Sequence, residues 1–188
     1  LEVLGSVMVL QGKGSKDTLD IVILQCAELL TRTGKAESHV QAEKIISQVI
    51  DNGMALEKFK QMCIQQGVDQ ITAQKLCDNP QDVLSQSIHI TEIKAQDTGY
   101  ICEIDSMMLA DIARKHGAGR FSIEDEIIAE IGFEICLERG NQINSGEVWL
   151  KFHHNEPLTE DDLNKLTNSL STTTQPFVHK KRLISIIE

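Results

Sequence analysis

The hydrophobic pattern of this chain changes its period once, close to Asn79-Pro80. Before that point the apolar residues recur every three to four positions, which is typical of amphipathic helices. After it, several short segments alternate apolar and polar residues, as half-buried strands do. A chain of 188 residues is long enough for one large domain or two small ones. The pattern therefore predicts an α+β protein with a helical part over residues 1–82 and an α+β part over residues 83–188.

The helical part contains helices with defined ends. Asp17–Thr33 is apolar on more than one face, which predicts a largely buried helix that ends at Gly34. Ser38 and Gln41 match a capping box at the start of the next helix, and Asn52-Gly53 marks its end. A third helix follows and is predicted to end at Gly67. Its predicted inward face consists of Ala55, Leu56, Phe59, Met62 and Cys63.

The second part mixes strands and helices. The predicted strands are Gly99–Asp105, Phe133–Glu138, Val148–Phe152 and Leu183–Ile187. One predicted helix covers Ser106–His116, with an inward face of Met108, Leu109, Ile112 and Ala113. A second helix is predicted after Pro157, with Thr159 as N-cap and with Leu163, Leu166 and Leu170 buried. The polar run Ser169–Gln175 is predicted to be a loop.

Charge and cysteine usage exclude several classes of partner. The net charge of −10 argues against a general affinity for nucleic acid or anionic membranes, which requires basic patches. The five cysteines are scattered without a close pair, which favours reduced thiols and no structural zinc. We therefore expect a cytoplasmic protein with no metal ion, no cofactor, no nucleic-acid partner and no membrane partner. The absence of an initiator Met and the abrupt helical start at Leu1 fit either a trimmed chain or a piece of a longer protein, and we expect the second.

Other polar segments have structural explanations. Gln11–Ser15 lacks the spacing of a phosphate loop and is predicted to be a helix-to-helix turn. His153-His154 lies at a strand end, so one ring is expected inward and one in solvent rather than both on a metal ion. Glu124–Glu126 is predicted to be solvated surface, and Glu160–Asp162 a helix start favoured by the helix dipole.

An ordered set of segments resembles the pyrimidine-nucleoside phosphorylase family. In the first part these are Leu1–Val3, Leu10–Gly14, Asp17–Leu19, Asn52–Ala55, Phe59, Met62 and Gln65–Gly67. In the second part they are Thr98–Ile101, Ile104-Asp105, His116–Arg120, Glu124-Asp125, Gly132–Glu134, Arg139–Ile143 and Ser145–Glu147. The match spans nearly the whole chain. It implies the helical end of an α/β domain followed by a mixed, hammerhead-like (barrel-sandwich-like) C-terminal domain.

The resemblance also implies a function, the reversible phosphorolysis of thymidine or a related nucleoside by a homodimeric parent enzyme. The substrates would be a pyrimidine nucleoside and phosphate. The family's phosphate-binding and base-binding motifs lie upstream of the region represented here, so no catalytic or substrate-binding residue is expected in this chain. Gly5 stands where some family members carry a Glu that helps to hold potassium, so no monovalent-cation site is expected either.

Gly117, Gly119 and Arg120 form the one candidate site segment. The structural interpretation is a helix stop with a tight turn that needs positive φ. The functional alternative is a loop that meets the phosphate-bearing lobe when the cleft closes, with Arg120 near an anion.

Two further interpretations of the chain remain open. The strand-turn-strand around Gly140–Glu147 also resembles biotinyl and lipoyl carrier modules, although Lys115 and Lys151 lack the exposed hairpin setting that a carrier lysine needs. The other alternative is a non-catalytic interaction domain.

Overall fold

A computed structural model describes residues 1–176 of the chain, so the predicted strand Leu183–Ile187 lies outside the described residues. The helices are α1 (Glu2–Leu10), α2 (Lys16–Arg32), α3 (His39–Asp51), α4 (Met54–Gln65), α5 (Gln70–Asp78), α6 (Ser106–Ala113) and α7 (Glu160–Asn168). The strands are β1 (His89–Lys94), β2 (Gly99–Ile104), β3 (Gly132–Ile135), β4 (Gln142–Ile143), β5 (Val148–His154) and β6 (Leu170–Thr173). The α+β class is confirmed.

Contacts divide the chain into two units, a helical unit over Glu2–Leu84 and an α+β unit that begins at Ser85. Within residues 1–176, no helix has the combined length and apolar character needed to cross a bilayer.

Helices α2 and α3 form the core of the helical unit. Small side chains lie at the center of their interface, where Ala27 and Ala42 are fully buried. Small residues allow two helices to approach closely, so the surrounding larger side chains can pack around the contact. These larger neighbours are Ile23, Leu30, Ile45, Ile46 and Ile50. The predicted helix ends are confirmed, because α2, α3 and α4 close with Thr33, Asn52 and Gln66 as their C-cap residues.

Two expectations for the helical unit are wrong in detail. Helix α2 is not largely buried: Ala27 is its one fully buried residue, and Leu29 is 63% exposed. The reason is that α2 packs mainly on α3, so only one of its apolar faces is covered within residues 1–176. In the same way, Met62 of α4 is exposed rather than inward.

The capping box at the start of α3 is half correct. The Ser38 hydroxyl accepts a hydrogen bond from the backbone N–H of Gln41. The Gln41 side chain, however, accepts from the N–H of Glu37, one residue before the cap. The N–H of Gln41 is therefore capped as predicted, whereas the bond that a capping box makes to the N–H of the N-cap residue goes to the N–H of Glu37 instead.

Two antiparallel three-stranded sheets build the α+β unit, with strand orders β1-β5-β3 and β4-β2-β6. The predicted strands at Gly99 and Val148 are confirmed as β2 and β5. The predicted strand Phe133–Glu138 is shorter, because the regular register with β5 ends at Ile135. Beyond it, the N–H groups of Cys136 and Leu137 both donate to the carbonyl of Trp149 on β5. The core between these elements consists of Ile93, Ile101, Leu109, Ile112, Ile131, Ile143, Trp149, Leu150, Phe152 and Leu166.

The predicted loop Ser169–Gln175 is wrong over most of its length, because this segment contains strand β6. Thr172 lies opposite Ile101 and Thr173 opposite Tyr100 in an antiparallel pairing with β2. Threonine is polar but β-branched, so it suits the half-buried edge of a sheet, where hydrophobic alternation is weak. Gly99 permits the close approach, since a Cβ there would lie 2.5 Å from the backbone oxygen of Thr173.

Helices α6 and α7 also depart from their predicted patterns. The α-helical part of α6 ends at Ala113, and a turn with π-type hydrogen bonds follows over Arg114–Ala118. In α7, the predicted capping residue Thr159 is confirmed and Leu166 is fully buried. Leu163 is exposed instead of buried, and Leu170 belongs to β6, because α7 turns only one narrow face toward the core.

Candidate functional site

The segment after α6 places the candidate residues on one turn, in which Gly117 and Gly119 are half-buried and Arg120 is exposed. Gly117 has φ of +105°, a conformation that glycine adopts at little cost. A Cβ at Gly117 would also lie 2.7 Å from Cδ1 of Ile128. Gly119 has an extended backbone, with φ of −155°. The turn therefore needs a glycine at the first of these positions but not at the second.

Hydrogen bonds close the loop that follows this turn. The backbone N–H of Ile128 donates to the carbonyl of Gly117 at 2.9 Å, which joins the two ends. Within the loop, the carboxylate of Asp125 accepts from the N–H groups of Phe121 and Ser122 at 2.8 and 2.9 Å. These two bonds hold the pKa of Asp125 below its usual value. We refer to Gly117–Ile128 as the Arg120 loop.

Behind the start of the Arg120 loop lies a buried carboxylate, Asp162, on the first turn of α7. Its side chain is 1% exposed. Lys115 Nζ donates to its two oxygens at 2.8 and 3.0 Å, and His116 Nε2 lies 3.4 Å from Oδ2. The hydroxyl of Thr159 donates at 2.7 Å and its backbone N–H at 3.2 Å. The predicted helix start at Glu160–Asp162 is confirmed, and the structure adds that Asp162 is buried in this network.

These contacts decide the charge state of Asp162. Burial raises the pKa of a carboxyl group, but the hydrogen bonds from Lys115, Thr159 and His116 stabilise the anion more strongly. The pKa of Asp162 therefore lies well below its usual value, and the group is an anion at neutral pH. A buried charge of this kind is stable only with its partners in place.

Histidines gather beside this network at the end of β5. The ring of His116 packs edge-on against Phe152, with centroids 5.3 Å apart, and lies 6.3 Å from the ring of His154. His154 Nδ1 lies 2.8 Å from the carbonyl of Glu156, and its Nε2 lies 2.8 Å from the hydroxyl of Thr91. The carbonyl accepts only, so Nδ1 carries the proton and Nε2 accepts from Thr91.

The expectation that one of the paired histidines faces solvent is wrong. His154 is 4% exposed and His153 has a side-chain exposure of 15%, because both rings are covered by neighbouring strands. His153 Nε2 lies 3.7 Å from a carboxylate oxygen of Glu134. Within residues 1–176, no group of three His, Cys, Asp or Glu side chains is arranged to hold a metal ion.

The other candidate residues predicted from the sequence have structural roles. Gln11–Ser15 forms a turn between α1 and α2, as predicted, and the Ser15 hydroxyl caps α2. Lys115 is engaged with Asp162, and Lys151 lies within β5 between two paired strands, so neither has the setting of a carrier lysine. Glu124 and Glu126 are exposed as expected, whereas Asp125 is half-buried because it closes the Arg120 loop.

Surface depressions on the helical unit are poor candidates for a small-molecule site. One runs along α3 and is lined by that helix alone, so it is a groove on a convex surface. The other lies between α4 and α5 and holds ≈ 90 Å³. Ligand pockets usually have at least ~300 Å³ and converging polar groups. The chemistry of a nucleoside site is therefore not assembled at either place.

Comparison with known proteins extends over both units. The family profile described as pyrimidine nucleoside phosphorylase C-terminal domain matches residues 100–173. A pyrimidine-nucleoside phosphorylase of Staphylococcus aureus strain bovine RF122 / ET3-1 is 31% identical over 184 residues, and that of strain USA300 is 30% identical over the same length. Each alignment covers 96% of this chain but 41% of the relative. The chain thus spans about two fifths of the length of the curated relatives it matches.

The profile match lies within the α+β unit, and the two alignments extend over nearly the whole chain. The chain corresponds to the C-terminal portion of the pyrimidine-nucleoside phosphorylase family.

Proposed function

We propose that this chain is the C-terminal part of a phosphorylase that converts thymidine and phosphate to thymine and 2-deoxyribose 1-phosphate. The observation that carries the proposal is the similarity to a pyrimidine-nucleoside phosphorylase over 96% of the chain, across both structural units. A carrier or interaction domain would be expected to share one unit with such an enzyme rather than both.

In this proposal the chain supplies a scaffold, and the catalytic residues lie in the rest of the parent enzyme. Phosphorolysis requires cationic and N–H groups that hold phosphate against the anomeric carbon, and others that stabilise charge on the departing base. The buried carboxylate of Asp162 is occupied by Lys115 and His116. That pairing supports a structural role for them.

The Arg120 loop is proposed as the segment that meets the phosphate-bearing lobe. Arg120 is exposed, and its guanidinium forms no hydrogen bond or ion pair among residues 1–176. Nearby, Arg114 is already engaged with Asp111 at 2.9 Å and with the ring of Phe121 at 4.4 Å. Arg120 is therefore the arginine of this region that is free to meet an anion from another part of the enzyme.

The proposal extends to the setting of the parent enzyme. We propose a cytoplasmic homodimer that acts on small-molecule substrates without a cofactor. The thiols of all five cysteines are free, which suits a reducing compartment.

A chimeric enzyme tests this function. The matching segment of the Staphylococcus aureus RF122 enzyme is replaced by this chain, and release of free base is measured with thymidine, uridine and phosphate. We expect phosphorolysis. A folded chimera without activity, beside an active unaltered enzyme, would refute the proposal.

A further inference from the structure

Asp162 connects two elements that are far apart in the sequence. Its carboxylate caps α7 through the hydroxyl and the N–H of Thr159. The same carboxylate receives Lys115 and His116, the last two residues before Gly117. One buried anion therefore binds both the start of α7 and the start of the Arg120 loop.

Other contacts of the loop carry no buried charge. Its two ends are joined by the bond between Ile128 and Gly117, and Asp125 binds the N–H groups of Phe121 and Ser122. Those bonds fix the shape of the loop internally. Outside the loop, Arg114 lies over the ring of Phe121, and Ala118 packs against the core. The contacts of Lys115 and His116 with Asp162 instead attach the loop to another element, so they set its direction.

The burial of His116 makes this attachment strong. His116 has a side-chain exposure of 7% and packs against Phe152, whereas the Lys115 side chain is half exposed. Because Asp162 is itself enclosed, releasing these groups would leave its charge away from water with the bonds from Thr159 alone. The attachment is thus expected to persist while the α+β unit is folded.

We propose that Asp162 is a positioning residue that, through Lys115 and His116, fixes the direction in which the loop presents Arg120. This inference rests on the proposed function for its consequence, since an arginine presented in a fixed direction favours an anionic substrate such as phosphate. The attachment itself rests on the geometry alone.

Limited trypsin digestion of the whole 188-residue chain tests the attachment. Trypsin cuts after Arg120 only when the loop opens, and after Arg139, in another turn of the same unit, as an internal reference. We expect Asp162→Asn and Lys115→Met each to accelerate cleavage at Arg120 by ~10-fold relative to Arg139, in keeping with a lost charge-assisted bond. The double variant should add little to either single change, because both remove one interaction.

Asp161→Asn is the matched control. Asp161 is the neighbouring residue on α7, carries the same charge, and is exposed with a single partner, Lys165, one turn further along. It should leave cleavage at Arg120 unchanged. If Asp162→Asn does not fold, Lys115→Met decides, because Lys115 is half exposed. Unchanged cleavage at Arg120, or equal acceleration at Arg120 and Arg139, would overturn the positioning role.

The chimera tests whether the attachment of the loop affects phosphate binding. There, Asp162→Asn should raise the KM for phosphate about 3- to 10-fold while kcat changes less than about twofold. Asp161→Asn should change neither value. A loosened loop with an unchanged KM for phosphate would overturn the link to the anion. An inactive unaltered chimera would count against the proposed function instead, and the trypsin result would stand independently.

Discussion

Asp162 illustrates at the scale of single residues why charge alone is a weak guide to position. In the sequence it closes an acidic helix start, Glu160–Asp162, which is typical of solvated first turns. In the structure its neighbours on the helix are exposed while it is enclosed, because a lysine and a histidine 47 and 46 residues away reach it. The local pattern places Asp162 three residues after the N-cap Thr159, but it does not predict that Asp162 is buried or that Lys115 and His116 bind it.

Acid should weaken the α+β unit through Asp162. Its pKa in the folded chain lies below the unfolded value of about 3.9, so it contributes stability above that pH and loses it as the pH falls further. We expect Asp162→Asn to lower the free energy of unfolding by ~1–3 kcal/mol near neutral pH, and by less below about pH 4. Urea denaturation over a pH series measures both values. An equal deficit at all pH values would contradict the assignment of the charge.

His154 should produce a pH dependence at higher pH. Burial lowers its pKa, and His89, His116 and His153 lower it further, although the Glu156 carbonyl opposes the shift. A folded pKa below the unfolded value of about 6.5 means that this stability is complete above pH 6.5 and declines as the pH falls.

Replacing Thr91 tests the same ring at neutral pH. Thr91→Val removes the hydroxyl that donates to His154 Nε2 and keeps the side-chain shape. We expect a loss of ~1 kcal/mol in the free energy of unfolding, because a buried acceptor is left without a donor. Equal stabilities in urea denaturation would show that Nε2 finds another donor.

At the scale of elements, the two glycines of the Arg120 loop form a natural comparison. Gly117→Ala places a Cβ in a left-handed backbone conformation and 2.7 Å from Ile128, so a cost of ~1–3 kcal/mol is expected. Gly119→Ala meets only Cγ of the flexible Arg114 side chain at 3.3 Å, in an extended backbone, and should cost well under ~1 kcal/mol. Thermal denaturation of the two variants checks the order; equal effects would contradict the backbone geometry.

Helix ends were predictable because their signals are local. Thr159, Ser38 and Asn52-Gly53 act on groups within a few residues, so their roles are written in adjacent sequence. Strand β6 was missed because its threonines gain their place from pairing with Tyr100 and Ile101, about seventy residues earlier. The buried network around Asp162 was missed for the same reason: it depends on long-range contacts.

At the scale of the whole molecule, the polar groups of the described residues mostly bond to one another or face solvent. The aligned relatives are more than twice as long as this chain, which covers 41% of the length of each. We propose that the α+β unit acts as a rigid support that carries the Arg120 loop, and that phosphate and nucleoside are bound by groups in the other part of the enzyme.

The most direct test of this account is an assay of the purified 188-residue chain with thymidine and phosphate, monitored by release of thymine. The account predicts no release above the buffer control, whereas the chimera with the upstream part of the Staphylococcus aureus enzyme is active. Release of thymine by the chain alone would contradict it, because the residues that perform phosphorolysis would then have to lie within this sequence.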